Sequence, residues 1–439
     1  MAKKAKTEIE TNSSSEASFF SLANNSTEST TESTVPQKPT STPAPFFTKL
    51  LDANRKKHGS KTLMVGSEQR VIGLEPYSIA LQYIMDLEVV PLQAIINIAG
   101  EEKTYKTSIG LEFCKMFLDL QPVQGIAVVN NTEGKWSPSK SRSMLGHHND
   151  VLQVIQNKSV EEWQASATSN LLLMQEIVDK KKDAIAKKAK TSEYKDMVIP
   201  PMIIMVDSLT GSQSDKIVET VQTEGFGSKT FQDRALINHQ FFSTWGSNLI
   251  GMPVTIVITN HLKIKLDGQP GIKQYTTSGG SGPSFMCSME IRVKRIGEID
   301  KTYIEGAKLL WKMHHNSLGR DKRQIEVHYM EGYDAEDNQK AYFDWDSTLI
   351  MCLLERLEES AYKDRILGVL GEFNEYPKAG FGKVYSCGRL GIDKDKAIDE
   401  GVGATELGRM LQTDPVIREE LKAALRIQKA TKWTPDIEM

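Results

Sequence analysis

Cysteine is scarce: four occur in 439 residues, Cys114, Cys287, Cys352 and Cys387, widely scattered and with no CxxC pair. That spacing argues against a zinc ribbon or a disulfide framework and fits a reducing compartment. An excess of charge is missing too. Lys and Arg number 54 against 57 Asp and Glu, a net charge of −3, so nucleic-acid binding cannot be argued from bulk charge and would have to come from local patches. No apolar run approaches membrane-spanning length. The start of the chain, Met1-Ala2-Lys3-Lys4-Ala5-Lys6, is basic but runs into polar residues rather than an apolar core, so it does not read as a secretory signal. These absences point to a soluble, intracellular protein long enough for a large core plus one or two smaller units.

What is present is organised around Ala94-Ile95-Ile96-Asn97-Ile98-Ala99, an apolar run that reads as a buried strand, followed by Gly100-Glu101-Glu102-Lys103-Thr104-Tyr105-Lys106-Thr107. A glycine opens the loop, and Ser108 to Phe117 carries apolar residues at helical spacing. This is the order of a P-loop. Backbone N–H groups of the loop and of the first helical turn converge on phosphate oxygens, while Lys106 supplies a point charge and Thr107 a hydroxyl for Mg2+. The usual pattern has glycine directly before the lysine, where Tyr105 stands here. The competing reading is an ordinary strand and helix joined by a polar turn.

The rest of the chain supplies partners for that motif. Residues 7 to 45 are mostly Ser, Thr, Glu, Asn and Pro, a composition that cannot bury enough apolar area to offset ordering entropy. Phe46, Phe47, Leu50 and Leu51 fall at helical spacing before a stop at Gly59, and such an apolar helix must dock on its own core or on a neighbouring subunit. Ile126 to Val129 reads as a second buried strand, running into Asn130-Asn131-Thr132-Glu133-Gly134, and Glu133 just beyond a strand's carboxyl end is placed to face a nucleotide. A long helix follows, with Leu171, Leu172, Met174, Ile177, Val178 and Ile185 as its apolar stripe and the lysines near 180 to 188 as a solvated face. Met202 to Val206 ending in Asp207 and Ser208 has the form of a Walker B strand, whose terminal carboxylate emerges near Mg2+. Beyond a polar stretch with Gly225-Phe226-Gly227, a helix is expected to put Ala235, Leu236, His239, Phe242, Trp245 and Leu249 on its core side. Val254 to Thr259 is a fourth buried strand ending in Asn260-His261. There His261 reads as a γ-phosphate sensor or, alternatively, as a satisfied core histidine. The segment from Leu262 to Gly282 is long, glycine-rich and dotted with lysines, as a loop approaching a nucleic-acid chain would be. Alternation in 289–296 and 324–330 predicts antiparallel strands at one end of the sheet, and the part after Ala341 reads as helical, with Asp414-Pro415 as an N-cap and first helical residue.

Taken in order, these elements resemble the RecA-type recombinases, and within them most closely the UvsX branch from tailed phages, over about Phe46 to Gly332. The features that carry the resemblance are the short helix ending in Gly59, an aromatic before Lys106, Asn131-Thr132-Glu133, Asp207-Ser208, Asn260-His261 and Ser278-Gly279-Gly280-Ser281-Gly282. The resemblance implies an α/β fold: a RecA-like P-loop ATPase core with a mostly parallel central sheet. Residues 1–45 would form a disordered tail, 46–70 an oligomerisation segment, 71–340 the core and 341–439 a small helical C-terminal domain.

It further implies that ATP lies on Gly100, Glu101, Glu102, Lys103, Thr104, Tyr105, Lys106 and Thr107, with Glu133 and Lys106 catalytic. Thr107 and Asp207 would hold Mg2+, and Asn260 and His261 would report the γ-phosphate. DNA would meet Gly225, Gly227, Lys229, Lys263, Lys265, Lys273, Gly279 and Gly280. The expected activity is DNA-dependent ATP hydrolysis coupled to homologous pairing and strand exchange in phage recombination, repair and replication, in the cytoplasm of the infected bacterium. Partners would be single- and double-stranded DNA, further copies of the chain in a helical filament, a recombination mediator and a single-strand-binding protein, with no membrane. A RecA-core hexameric helicase motor and a mediator with little ATP turnover are the alternatives. Two departures from the family pattern stand out: Lys140 is found where an aromatic usually stacks on adenine, and Met313 and His315 are found where basic residues reach the neighbour's ATP, so that either Lys312 or Arg320 substitutes or cross-subunit activation is weaker.

Overall fold

The structure, a computed structural model, describes residues 70–187, 193–211, 213–214, 230–264, 275–277, 282–301, 304–333, 338–380 and 382–437. The strands in chain order are β1 (Ile72–Leu74), β2 (Val90–Pro91), β3 (Ala94–Gly100), β4 (Ile126–Asn131), β5 (Gln153–Gln156), β6 (Met202–Asp207) and β7 (Val254–Ile264). They continue with β8 (Tyr275–Thr277), β9 (Met289–Lys301), β10 (Ile304–Asn316), β11 (Gln324–Tyr333), β12 (Gln339–Phe343), β13 (Phe373–Lys378), β14 (Gly382–Cys387) and β15 (Thr431–Lys432).

Ten of these form one sheet in the order β12-β11-β10-β9-β3-β7-β6-β4-β5, with β8 paired to β7 off that path. From β9 to β5 neighbouring strands run parallel. From β9 to β12 they run antiparallel. The apolar runs explain the arrangement, because strands covered by helices on both faces read as continuous hydrophobic stretches. Every residue of β3 and of β6 is buried. The α/β class and the antiparallel flank therefore agree with the sequence reading.

Two apolar layers sandwich the sheet. Helix Lys106–Leu118 packs on one face through Ile109, Phe113 and Phe117. Helices Val160–Ala186 and Thr230–Asn248 cover the other, where Trp163, Leu171 and Met174 meet Phe241, Phe242 and Trp245. The stripes of these two helices differ in detail from expectation. Leu172 and Ile185 are exposed while Val160, Trp163, Ala167, Leu171, Met174 and Val178 are buried, a strict three-and-four spacing that leaves no room for Leu172. Leu236 and His239 likewise face outward, and Asn238 and Phe241 take the core side instead. Asn238 earns its burial by accepting a hydrogen bond from Gln164 Nε2 at 3.3 Å.

The part after Ala341 is not purely helical. Helix Trp345–Leu357 is followed by helix Ser360–Leu370, by the hairpin β13–β14, and by further helices that include Pro415–Ala424. Asp414 caps that last helix by accepting from the N–H groups of Val416 and Ile417, with proline at the first helical position, as the sequence indicated. The chain then returns to the start of the described residues, where β15 pairs in parallel with β1. Residues Arg70–Met439 form one compact unit. No helix among the described residues is long and apolar enough to cross a membrane.

Candidate functional site

The sheet brings the sequence-predicted residues together at the carboxyl ends of its parallel strands. Gly100 at the end of β3 lies in register with His261 of β7, and Ala99 with Asn260. Asn131 at the end of β4 lies in register with Asp207 at the end of β6, which sets Glu133, two residues further on, beside Asp207. In such a sheet this edge is where the connecting loops leave a crevice.

Between β3 and helix Lys106–Leu118 the chain turns through residues 101 to 105. Tyr105 is the N-cap residue, in the left-handed region at φ 60°, and it makes no side-chain capping bond. The first-turn N–H groups of this helix therefore have neither an intrahelical nor a capping partner, and they carry the positive end of its dipole. Lys106 Nζ folds back to donate to Glu101 O at 2.6 Å, and Thr104 Oγ1 donates to the same carbonyl at 2.9 Å. Burial lowers the Lys106 ammonium pKa, against the opposing pull of Asp207, Glu133 and Glu102.

Asp207 is held by two hydroxyls. Thr107 Oγ1 donates to its Oδ2 at 2.7 Å and Thr259 Oγ1 to its Oδ1 at 2.6 Å. Burial raises its pKa despite these bonds. Glu133 Oε1 accepts from Ser208 Oγ at 2.5 Å and lies 3.2 Å from His261 Nε2. The histidine bond, seconded by Ser208 and opposed by burial, brings the Glu133 carboxyl down to about 2. Glu133 is thus ionised across the neutral range.

A cleft of about 1000 Å³ takes in Glu101 through Thr107, Glu133, Asp207, His261 and Lys263. Gly100 and Asn260, both buried, lie in the strand ends beneath it. Its cationic lining, Lys103, Lys106, Lys135, Lys140, Lys263 and Arg295, faces the carboxylates of Glu101, Glu102, Glu133, Asp207 and Glu331. Such a mixture can hold a polyanion together with a cation and offers a carboxylate able to take a proton from water. Tyr275 on β8 hydrogen-bonds the Glu101 side chain, so β8, paired to β7, reaches the loop after β3.

Sequence reasoning missed the supporting roles of Thr259 and Ser208 and the presence of Arg295 and Glu331. Each of the first two adjoins a named position, Asp207 or Asn260, and alternation along β7 from His261 could have pointed to Thr259. Arg295 and Glu331 reach the cleft only through the register of β9 and β11, which local pattern does not encode. Met313, which stands where the family has a basic residue reaching a neighbour, is fully buried in the core. Arg320 is engaged within its own chain, with Nε and Nη2 on Asp86 at 2.9 and 2.8 Å. Lys312 is exposed on β10. Gly225, Gly227, Lys229, Lys265, Lys273, Gly279 and Gly280, and the Phe46 helix, lie outside the described residues. No protein-family model matches the chain, and no curated protein matches it.

Proposed function

We propose that this cleft is a P-loop nucleoside-triphosphate site in a RecA-like core, and that the protein is an ATP-dependent recombinase forming filaments on single-stranded DNA. The observation that carries the reading is the convergence of Lys106, Thr107, Glu133, Asp207 and His261, drawn from four different strand ends, on one cleft. Resemblance in the order of motifs supports the recombinase assignment; the cleft geometry supports the nucleotide.

In this reading the unpaired N–H groups of helix Lys106–Leu118 and the Lys106 ammonium hold the phosphates. Thr107 Oγ1 and Asp207 Oδ2, 2.7 Å apart, offer only oxygen donors and fit a small hard cation such as Mg2+, which is commonly held by one or two protein oxygens plus substrate phosphates. When bound, Mg2+ would neutralise charge on the phosphate oxygens. Glu133, ionised and aimed by Ser208 and His261, would orient water and accept its proton. His261 joins Glu133 to the stretch that begins at Leu262, so the state of the phosphate site and that of the following segment are linked, and nucleotide and DNA affinities are reciprocal. Strand exchange itself makes and breaks no covalent bond in DNA, and phosphoanhydride hydrolysis is driven by positioning and charge stabilisation.

A second reading, a recombinase-like mediator with little turnover, is favoured by the burial of Met313 and by the pairing of Arg320 with Asp86 in its own chain. Phosphate release with and without single-stranded DNA separates the two. Strong stimulation by DNA that disappears in Lys106→Ala supports the recombinase. Turnover unchanged in that variant overturns the site.

A further inference from the structure

On the rim of the cleft four side chains meet around the ring of Tyr105. The Tyr105 ring lies 4.3 Å from the Tyr329 ring, centroid to centroid, tilted by 41°. Tyr329 is fully buried, with its hydroxyl donating to Glu331 Oε1 at 2.7 Å. It cannot itself touch a ligand, and it backs Tyr105, which is half-buried and lines the cleft. Two cations attend that ring: Lys140 Nζ at 5.4 Å and the Arg295 guanidinium carbon at 6.0 Å from its centroid. Tyr105 is also the residue whose backbone, at φ 60°, would be most easily adopted by glycine. A bulky aromatic held at such a position is a local cost, of a kind that recurs at ligand sites.

We infer that Tyr105 is the platform on which the base of the bound nucleotide stacks, with Lys140 and Arg295 flanking the base and Tyr329 holding the platform from behind. The inference rests on the nucleotide reading of the cleft. The geometry favours it because Tyr105 directly precedes Lys106. A nucleotide whose phosphates lie against the helix terminus carries its base along the same cleft, where Tyr105 is the one tyrosine among the described lining residues and His261, the other aromatic ring, is engaged by Glu133. Stacking on an aromatic face tolerates any base, since every base has a π face, and a flanking guanidinium adds a cation–π contribution. Glu331 on the same rim offers a carboxylate to an exocyclic amine, as carried by adenine and cytosine.

The test separates base from phosphate by comparing ATP with inorganic tripolyphosphate, both with Mg2+, on the full chain. Tyr105→Phe keeps the ring and should bind ATP within about twofold of the unaltered protein. Tyr105→Gly suits the backbone but removes the ring. Tyr105→Leu keeps apolar packing on Tyr329 but has no π face. Both should lose about tenfold in ATP affinity, the scale of one base stack, with tripolyphosphate affinity unchanged. Equal losses for both ligands would show that Tyr105 shapes the phosphate loop and would overturn the inference, as would no loss for ATP in either variant. Failure of the unaltered protein to bind either ligand would instead overturn the nucleotide site itself, and the platform with it.

Discussion

At the scale of single residues, the site depends on carboxylates in contrasting surroundings. Glu133 is held ionised by His261 and Ser208, whereas Asp207 is buried and pushed upward. Replacing Glu133 by Gln keeps the shape and removes the proposed proton acceptor. ATP hydrolysis should fall by about 100-fold or more with ATP affinity retained, the usual scale for a positioned general base, as phosphate release and equilibrium binding would show. Parallel losses of binding and turnover would instead make Glu133 a structural residue. Far from the cleft, Asp86 is fully buried and meets Arg323 at 2.7 Å as well as Arg320. Despite its burial, these bonds keep its carboxyl below the ordinary range. A depressed acid contributes stability above its unfolded pKa, about 3.9 for Asp, and that contribution is lost as the pH falls through the folded value. The urea midpoint should therefore decline below about pH 4, and Asp86→Asn should remove part of that decline. At neutral pH the substitution leaves buried Arg323 without its counter-charge and should cost about 3 kcal/mol.

At the scale of elements, helix Ala404–Thr413 crosses helix Trp345–Leu357 closely enough that a Cβ on Gly408 would come within 2.0 Å of Asp346 O. A backbone oxygen cannot give way as a flexible side chain can. Gly408→Ala should destabilise by about 2 kcal/mol, read by chemical denaturation, with ATP affinity unchanged because the contact is remote from the cleft. The elements also show what the sequence made legible. β3, β4, β6 and β7 stood out as apolar runs because strands buried on both faces leave no polar position to blur them. Helix Ile79–Met85 was hidden by the same physics: all seven of its residues are buried, so it has no period to detect. β10 was overlooked although its alternation is present, with Ala307, Leu309, Trp311 and Met313 inward and Lys308 and Lys312 outward. Met313, which stands where the family has a basic residue, belongs to its buried face.

At the scale of the whole molecule, the cleft residues were readable because each stands at a strand terminus, where the motif and the end of the apolar run coincide. Arg295 and Glu331 were not, because they arrive through strand pairing between parts of the chain far apart in sequence. The same holds for the final segment. β15 joins β1, and Lys422, almost fully buried, pairs with Glu75 at 2.6 Å. Neither contact has a local signature. These ties make the C-terminal part continuous with the core, so truncation before β15 should lower stability rather than release an independent unit, a result thermal unfolding of the shortened chain would read. The proposed activity belongs to this scale too, since assembly on DNA is a property of many copies acting together.

The measurement that bears most directly on the central claim is phosphate release from ATP and Mg2+ by the full chain, with and without single-stranded DNA, beside Lys106→Ala. The expected result is hydrolysis stimulated by DNA and reduced to background in the variant. Hydrolysis that is equal in both proteins would contradict the account, because the cleft beside Lys106 would then not be where the nucleotide is cleaved.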